Sequence, residues 1–333
     1  MAMKRYLVML NANAGNAAAV SDLEDRIRRG LHDGRGAKVL VLRCRTGEEA
    51  RRSARAAARG RTFDAIVVAG GDGSLHQLID AVAHFDLPLG IIPMGTANDL
   101  ASRFGLAKHD VEGACRAIRA GHTATIDLVR IDGKGFATGG GTGLASRVAT
   151  TVQRWRETSR VFRWLLRRLG GKIYPLVTVL TLLFARSLRE TYRIETSDGR
   201  LRELEGYCAL LMNLPSLGAH FHPAPRASER DGLLDVVVLE RTGGWLSRLR
   251  LIATVAHVAR GTHIGRQDVH HFRARGFEVV SEEPLACIAD GELMVESERF
   301  SVDVDERALT LLVPALYADV REPIFSSQDS RAA

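Results

Sequence analysis

The first third of the chain alternates between short apolar runs and longer segments with helical periodicity. The apolar runs predict four strands, at Tyr6–Leu10, Lys38–Leu42, Ala65–Val68 and Leu89–Ile92. The periodic segments predict four helices, at Ala17–Arg29, Glu48–Arg59, Leu75–His84 and Ala97–Phe104. Because strictly alternating strands and helices form right-handed crossovers, this pattern predicts a parallel sheet covered by helices. Ligands bind such sheets at the carboxyl ends of the strands, where the glycine-rich turns of this region lie.

After about Arg130 the pattern changes to short β-type runs joined by turns, with Gly206–Leu214 as a clear example. The segment 131–148 has the same character, and helical patterns interrupt these runs at about 150–188 and 244–260. We therefore expect a second domain that is a mainly antiparallel β-sandwich. The predicted organisation is an α/β domain over 1–130, a β-rich domain over 131–309, a segment at about 310–325 that returns to the first domain, and a disordered tail over 326–333.

The net charge of the chain says less about its binding partners than its size suggests. The 46 basic and 39 acidic residues leave a net charge of +7, and 41 of the basic residues are arginines. Arginine pairs well with phosphates, so an anionic partner would explain the excess. A GC-rich genome also tends to encode arginine in place of lysine. Composition alone leaves both explanations of the arginine excess open.

Other features exclude whole classes of protein. The four cysteines lie far apart without a CxxC pair, which excludes a disulfide framework and favours buried thiols. The most apolar stretch, Ile173–Phe184, is shorter than the about 20 residues that cross a bilayer. The N-terminus has no signal-peptide cleavage pattern. We therefore expect a cytoplasmic protein without a transmembrane helix.

The strongest motif follows the third predicted strand, where Gly70-Gly71-Asp72-Gly73-Ser74 leads directly into a helix. Glycines let the backbone approach a ligand closely, and consecutive N–H groups at a helix N-terminus form a phosphate cradle. Asp72 would repel a phosphate unless a divalent ion or a water lies between them. The motif indicates a phosphate site, and a tight structural turn capped by Asp72 is the simpler alternative.

A second motif, Pro93–Asp99 (PMGTAND), follows the fourth predicted strand. Pro93 ends the strand, and Thr96 or Asn98 is a natural cap for the next helix. Because parallel strands bring their carboxyl ends to one edge of a sheet, this loop is expected to line the same crevice as the first motif. Thr96 would then face a nucleotide and Asp99 the reaction.

Five motifs occur in a fixed order: Asn11–Gly15, Gly70–Ser74, Pro93–Asp99, Asp231–Asp235 and Asp290–Glu292. In this order they resemble the bacterial diacylglycerol-kinase-like lipid kinases, relatives of sphingosine and ceramide kinases, over about residues 4–317. The resemblance implies an NAD-kinase-like α/β domain that binds ATP, followed by a β-sandwich domain that contacts the lipid, with the active site in the cleft between them. The implied reaction transfers the γ-phosphoryl group of ATP, with Mg²⁺, to a hydroxyl of a membrane lipid such as diacylglycerol.

The resemblance also assigns roles to individual residues. The nucleotide contacts that it implies are Asn11, Ala12, Asn13, Ala14, Gly15, Thr46, Gly70, Gly71, Asp72, Gly73, Ser74, Leu75, His76, Gln77, Gly95 and Thr96. Asp72, Asp99 and Asp127 are expected to surround the magnesium and the acceptor hydroxyl. Asp290 and Glu292 belong to the family's late DGE motif, whose Glu is the proposed proton acceptor. Alanine at Asp72 or Glu292 is expected to abolish transfer and leave the fold intact. Without the resemblance, the segment Asp290–Glu292 would be interpreted as a hairpin turn.

The segment Ser228–Leu233 resembles the family's structural magnesium loop. In that loop the carbonyls of Ser228 and Leu233 join the Asp231 side chain and waters as ligands. Hard oxygen donors on a tight turn suit Mg²⁺, and an ordinary loop before the next strand is the alternative.

A basic segment, Arg154–Lys172, carries seven positive charges against one negative. Five of its apolar residues recur at 3- and 4-residue spacing and so share one face: Trp155, Phe162, Leu165, Leu166 and Leu169. Such a helix can lie in an anionic lipid interface, or its apolar face can pack on the β domain, and the sequence leaves both open. The membrane-facing residues expected in the first case are Trp155, Phe162, Arg163, Trp164, Arg167 and Arg168.

Two other functions compete with the lipid kinase. An NAD-kinase-type enzyme shares the GGDG motif but adds an Asn-Glu pair and a Thr-rich stretch that are absent here. A catalytically inactive lipid- or nucleotide-sensing protein is disfavoured by the retained carboxylates. GxxxxGK[ST] is absent, which excludes a P-loop kinase, and no recognition motif predicts a nucleic-acid partner.

We expect a peripheral association with the inner face of the membrane, and the resemblance also allows a homodimer. The sequence departs from the family pattern at Ala12, Ser74 and His76, where Pro, Thr and Asn are usual. These departures leave the nucleotide contacts at the three positions open.

Overall fold

The computed structural model describes residues 3–11, 17–32, 36–169, 177–178, 180–181, 190–196, 201–218, 221–240 and 247–319. The chain divides into two compact units, one of Met1–Ile126 with Arg307–Ala333 and one of Asp127–Glu306.

Eight α-helices and thirteen strands have both of their ends within the described residues. The helices are α1 (Ala17–Leu31), α2 (Gly47–Gly60), α3 (Asp72–Val82), α4 (Asp99–Arg103), α5 (Val111–Ala120), α6 (Leu144–Thr158), α7 (Arg160–Leu169) and α8 (Ser247–Ala259). The strands are β1 (Arg5–Asn11), β2 (Lys38–Cys44), β3 (Ala65–Gly70), β4 (Leu89–Pro93), β5 (Thr123–Ile131), β6 (Lys134–Phe136), β7 (Gly139–Thr142), β8 (Glu190–Thr196), β9 (Leu201–Met212), β10 (Leu234–Glu240), β11 (Val269–Ala274), β12 (Gly276–Ala289) and β13 (Glu292–Leu312). Among these residues no helix is long and apolar enough to span a bilayer.

The first unit contains the predicted parallel sheet. β1 pairs in parallel with β2 and β3, and β3 pairs in parallel with β4. The end of β13 adds a further parallel strand, with Leu312 opposite Gly90 of β4. β3 and β4 are buried along their whole length, which explains why they are continuous apolar runs. The predicted α/β fold class is confirmed.

Two helices of this unit differ from the prediction. The fourth predicted helix, Ala97–Phe104, is the short α4 (Asp99–Arg103), because residues 95–98 form a closed loop instead. α5 was not predicted. The Asp110 carboxylate accepts a hydrogen bond from the Gly113 N–H at 2.8 Å and caps this helix, which packs Val111, Cys115 and Ile118 into the core.

The second unit is mainly antiparallel, as predicted. β9 pairs with β7, β8 and β10, and β10 pairs with β11. β12 pairs with β7, β8 and β13. Successive residues of β9 enter two different cores: Ala209 and Leu211 pack in one, and Cys208 and Leu210 in the other. This alternation is the period-2 pattern of a sheet covered on both faces.

The helical stretch predicted at about 150–188 differs from the structure in its details. α6 begins at Leu144, so the end of the run predicted as β-type is helical. Ser159 is extended (φ −113°, ψ 119°) and separates α6 from α7, and its hydroxyl accepts a hydrogen bond from the Phe162 N–H at 3.1 Å. The segment 154–172 is therefore not one helix, because this Ser cap starts a new one. Residues 170–176 lie outside the described residues.

Candidate active site

The predicted nucleotide loops lie at one edge of the parallel sheet. The strand register aligns Asn11 with Cys44, Leu10 with Ala69 and Gly70 with Pro93, so the carboxyl ends of β1, β2, β3 and β4 lie at the same edge. This is the edge at which open α/β sheets bind ligands. The implied contacts Ala12, Asn13, Ala14 and Gly15 lie outside the described residues.

Two glycines bring the loops after β3 and β4 into backbone contact. A Cβ atom on Gly95 would lie 2.5 Å from the Gly71 Cα, and one on Gly71 would lie 2.8 Å from the Gly95 Cα. The Met94 N–H donates to the Gly70 carbonyl at 2.8 Å and joins the same loops. Glycine is required at both positions because of this close approach. Backbone conformation does not require it, since Gly71 has a φ of −103°.

Asp72 connects these loops through both of its carboxylate oxygens. Oδ2 accepts a hydrogen bond from the Asn98 N–H at 2.7 Å, and Oδ1 accepts one from the Asp99 N–H at 2.9 Å. Asp72 therefore caps the N-terminus of α4 from a distant position in the chain. Alanine at Asp72 would leave these two backbone donors without their acceptor, so we now expect a local loss of stability where the sequence alone predicted an intact fold.

Asn98, predicted as a helix cap, closes its own loop instead. Its backbone is left-handed (φ 55°, ψ 50°) and it makes no capping hydrogen bond. Its side-chain Oδ1 accepts from the Gly95 N–H at 2.8 Å, and its Nδ2 donates to the Gly95 carbonyl at 3.0 Å. Thr96, at the exposed tip of this loop, accepts a hydrogen bond on its carbonyl from Lys108 Nζ at 3.2 Å.

The N-terminus of α3 is the predicted phosphate cradle. Its N-cap, Gly71, has no side chain to occupy the first N–H groups, although its carbonyl accepts from the N–H groups of Ser74 and Leu75. Asn11 Nδ2 donates to Ser74 Oγ at 3.4 Å, so two implied contacts lie together. The Leu75 side chain is buried in the core, so only its backbone is available to a ligand. His76 follows it on α3 and is half-buried.

Thr46 and Gln77 take part in the packing of α2 and α3. Thr46 caps α2, because its hydroxyl oxygen accepts from the Glu49 N–H at 3.2 Å. Gln77 Oε1 accepts from the Arg51 guanidinium at 2.5 Å, and its side chain leaves no room for a Cβ on Gly47. The structure thus gives both implied nucleotide contacts a structural role that the sequence did not reveal.

In the second unit, Asp127 is buried and organises a neighbouring loop. Its Oδ2 accepts from the Gly232 N–H at 2.7 Å, and its own N–H donates to the Glu229 carbonyl at 2.7 Å. Asn213 Nδ2 donates to the carbonyls of Asp127 and Ala137 at 3.0 and 2.8 Å. Sequence reasoning missed Asn213, although a polar residue at the end of an apolar strand was a usable signal.

The DGE motif forms the turn between β12 and β13. Asp290 (φ 51°) and Gly291 (φ 83°) are both left-handed, as a tight hairpin requires. The Asp290 carboxylate accepts from the N–H groups of Ala137 and Thr138 at 3.1 and 3.0 Å, and from the Thr138 hydroxyl at 2.5 Å. Glu292 is half-buried, and among the described residues its carboxylate has no hydrogen-bond or ion-pair partner. Asp290 therefore holds the turn and leaves Glu292 available for chemistry.

The predicted magnesium loop contains an ion pair. Asp231 Oδ2 contacts the Arg273 guanidinium, and Asp231 Oδ1 accepts from the Leu233 N–H at 3.2 Å. Arg273 also lies 3.4 Å from the buried Asp235 carboxylate. A divalent ion at Asp231 would meet the positive charge of this guanidinium, so the residues present here do not fit the ligand set implied for Ser228, Asp231 and Leu233. Within the described residues, no group of three or more His, Cys, Asp or Glu is arranged to hold a metal ion.

The apolar face of α7 packs inside the second unit. Phe162 is 9% exposed in the core cluster, and Trp155 stands edge-to-face against it at 5.3 Å between centroids. The prediction that Phe162 faces a membrane is therefore wrong, because its side chain is buried in a core cluster of the second unit. Trp164 is 60% exposed on the opposite face, with the Arg168 guanidinium 5.8 Å from its ring centroid. The side chains of Arg163 and Arg167 lie outside the described part of the chain.

Comparisons with known proteins cover both units. The model of the diacylglycerol kinase catalytic domain matches residues 5–131, and the model of the YegS C-terminal NAD kinase beta sandwich-like domain matches residues 142–313. A diacylglycerol kinase from Mycobacterium tuberculosis (strain ATCC 25618 / H37Rv) is 30% identical over 301 residues, which are 87% of this chain and 91% of that protein. A diacylglycerol kinase from Bacillus subtilis (strain 168) is 28% identical over 87% of this chain and 90% of that protein.

The same fold occurs in a solved structure. The crystal structure of a diacylglycerol kinase from Bacillus anthracis str. Sterne matches 96% of this chain and 100% of that chain with a TM-score of 0.69. At 18% identity, this similarity shows a shared fold.

Proposed function

Because this chain belongs to the bacterial diacylglycerol-kinase-like lipid kinases, the family that its motifs predicted, we propose that it transfers the γ-phosphoryl group of ATP, with Mg²⁺, to a hydroxyl of a diacylglycerol-like membrane lipid. In this reaction the lipid hydroxyl oxygen bonds to the γ-phosphorus, and the bond from that phosphorus to the β–γ bridging oxygen breaks. ADP leaves, and the hydroxyl proton passes to a carboxylate.

The observation that carries the proposal is the contact between the two glycine loops of the first unit. Gly71 and Gly95 approach so closely that no side chain fits between them, and the N-cap of α3 is a bare backbone. Such a surface presents N–H groups and a helix N-terminus to an anion, which suits the phosphates of a nucleotide. Asp72 maintains this arrangement through the Asn98 and Asp99 N–H groups.

Glu292 is the residue that we propose as proton acceptor. Asp72, Asp127 and Asp290 all accept hydrogen bonds from backbone N–H groups, and those bonds hold loops in place. Glu292 has no such bond among the residues that the structure describes. A carboxylate in this condition can accept the proton of a substrate hydroxyl.

The exposed face of α7 supports a peripheral contact with an anionic membrane surface. Val161 and Trp164 are 76% and 60% exposed, and Arg160 and Arg168 flank them. An exposed aromatic residue beside cations is typical of helices that bind lipid headgroups. The phosphorylated lipid would then be drawn from the membrane to which the protein binds.

The test is a transfer assay with radiolabelled ATP across a lipid panel, with and without Mg²⁺. Diacylglycerol, phosphatidylglycerol and a sphingoid base form the panel, and NAD is included as an acceptor. Labelled lipid that depends on Mg²⁺ is the expected result. Labelled NAD would instead indicate an NAD-kinase-type enzyme, and nucleotide binding without transfer to any acceptor would indicate an inactive sensor.

A further inference from the structure

The loops after β3 and β4, at the carboxyl edge of the parallel sheet, contain carboxylates and neither lysine nor arginine. Gly70–Gln77 and Pro93–Asp99 include Asp72 and Asp99, and neither stretch has a lysine or an arginine. The triphosphate of ATP carries several negative charges, and a divalent ion compensates only part of them. Kinases of other folds place a lysine or arginine on these phosphates, so a cation from outside the two loops is needed here.

Arg51 and Lys108 both contact these loops, and they differ in how they are held. Arg51 donates to Gln77 Oε1 and also lies 3.4 Å from Glu48 on its own helix, so it belongs to the packing of α2 on α3. Lys108 donates to the neutral Thr96 carbonyl at 3.2 Å and has no carboxylate partner among the described residues. Lys108, unlike Arg51, can therefore move to a ligand without breaking an ion pair with a described carboxylate.

The backbone on the C-terminal side of Lys108 is held in place. The His109 N–H donates to the Pro93 carbonyl at 2.9 Å and ties this segment to the end of β4. Asp110 caps α5 through the Gly113 N–H. The side chain itself is exposed. A firmly placed backbone with an exposed, flexible side chain suits a residue that reaches toward a phosphate.

The residue type fits the same role. Lys108 is one of only five lysines, against 41 arginines in the chain. An ammonium group is a compact charge with three donors on a flexible stem, and it binds phosphate oxygens as a point charge, whereas a guanidinium is a planar fork.

We propose that Lys108 is a phosphate-binding residue whose ammonium group leaves the Thr96 carbonyl and binds a non-bridging oxygen of the nucleotide triphosphate beside Gly71 and Gly95. This inference rests on the proposed function, since it requires that the first unit binds ATP. It adds to the nucleotide contacts a residue that lies outside every motif identified in the sequence.

Equilibrium binding to the full-length protein tests this assignment. Mg²⁺-ATP and adenosine are titrated into the wild type and into Lys108→Ala, Lys108→Arg and Lys38→Ala. Lys38 is an exposed lysine at the amino end of β2, the opposite edge of the sheet, and serves as the matched control. We expect Lys108→Ala to weaken Mg²⁺-ATP binding by about 10- to 100-fold, as for a lost hydrogen bond to a charged group, with adenosine binding unchanged. Lys108→Arg should recover part of the loss, and Lys38→Ala should bind like the wild type.

Each contrary result has its own meaning. If Lys108→Ala binds Mg²⁺-ATP as tightly as the wild type, the role of Lys108 is overturned and the proposed kinase function stands. If adenosine binding weakens to the same extent, Lys108 supports the loop and does not bind the phosphates. If the wild type binds no Mg²⁺-ATP, the proposed function fails and this inference fails with it. Melting curves of all variants identify any that do not fold.

Discussion

Asp290 and Glu292 are two residues apart, and the structure gives their carboxylates different environments. Asp290 accepts three hydrogen bonds from Ala137 and Thr138, and so it is engaged in holding the hairpin. Glu292 has none among the described residues. The sequence motif treats both as catalytic carboxylates, whereas the hydrogen bonds separate a positioning residue from the residue proposed to accept a proton.

Replacing Glu292 by glutamine tests this distinction. The amide keeps the size of the side chain and cannot accept a proton, so we expect kcat for lipid phosphorylation to fall by about 10²- to 10⁴-fold. The melting temperature should stay close to that of the wild type, because no described contact is lost. Glu296→Gln, an exposed position on the same strand, is the control and should retain full activity. Full activity of Glu292→Gln would reject Glu292 as the proton acceptor.

At the scale of elements, the glycine loops depend on backbone contact. A Cβ on Gly95 would lie 2.5 Å from the Gly71 Cα, so Gly95→Ala forces the loops apart. We expect a loss of stability of about 1–3 kcal/mol, as for overpacking, and a loss of Mg²⁺-ATP binding. Gly60→Ala, where the nearest side-chain atom would be 3.8 Å away, provides the matched control. Chemical denaturation and nucleotide titration measure the two effects, and equal behaviour of both variants would contradict the packing argument.

Helices α1 and α5 are joined by an ion pair that makes stability depend on pH. Both carboxylate oxygens of Glu112 accept from the Arg26 guanidinium at 2.9 Å, and this hydrogen bonding lowers the pKa of Glu112 to about 2. Because the pKa is lower in the folded state, the ionised Glu112 stabilises the folded protein at pH values above its unfolded pKa of about 4.3. That contribution is lost as the pH falls through about 2.

Glu112→Gln should therefore lower the midpoint of urea unfolding at pH 7 and have a shrinking effect between pH 4 and pH 2. The change should be small, because exposed ion pairs contribute little. Arg26→Gln should have a similar effect at pH 7, and the double variant should lose little more than either single one. A constant difference from pH 7 to pH 2 would show that the pair is not the cause.

At the scale of the whole molecule, the end of the chain completes the first unit. Leu311 and Leu312 pair in parallel with β4, although they are more than 200 residues from it in sequence. The Val313 N–H donates to the His122 carbonyl at 2.9 Å, and the Asp319 carboxylate accepts from the Thr125 N–H at 2.6 Å. The first unit is thus built from both ends of the chain.

Leu312→Ala tests how much this return contributes. Leu312 is 1% exposed in the core of the first unit, so we expect a loss of about 2–5 kcal/mol in the free energy of unfolding. Leu316→Ala, at a leucine that is 86% exposed, should cost almost nothing. Denaturation followed by a probe in the first unit measures both, and equal costs would show that the segment does not support this core.

Much of the fold follows from local pattern. The four parallel strands of the first third lie where apolar runs predicted them. β3 and β4 are apolar throughout because they are buried on both faces, whereas β2 keeps exposed positions. The glycine motifs lie at the carboxyl edge of the sheet because alternating strands and helices place them there. Helix α5 also has a local sequence signal, because Asp110 is a typical N-cap and apolar residues follow it at helical spacing.

The sequence by itself therefore determined the strands, the order of the motifs and the edge at which they lie, since periodicity and turn chemistry act over a few residues. Only the tertiary structure decided which polar groups meet: Asp72 accepts a hydrogen bond from the Asn98 N–H, 26 residues away, and Arg273 reaches Asp231 from a separate strand. It also decided that Phe162 packs inward. The sequence shows that one face of the helix is apolar, but it does not show what packs against that face. Partners across the chain depend on how elements pack, and no local pattern carries that information.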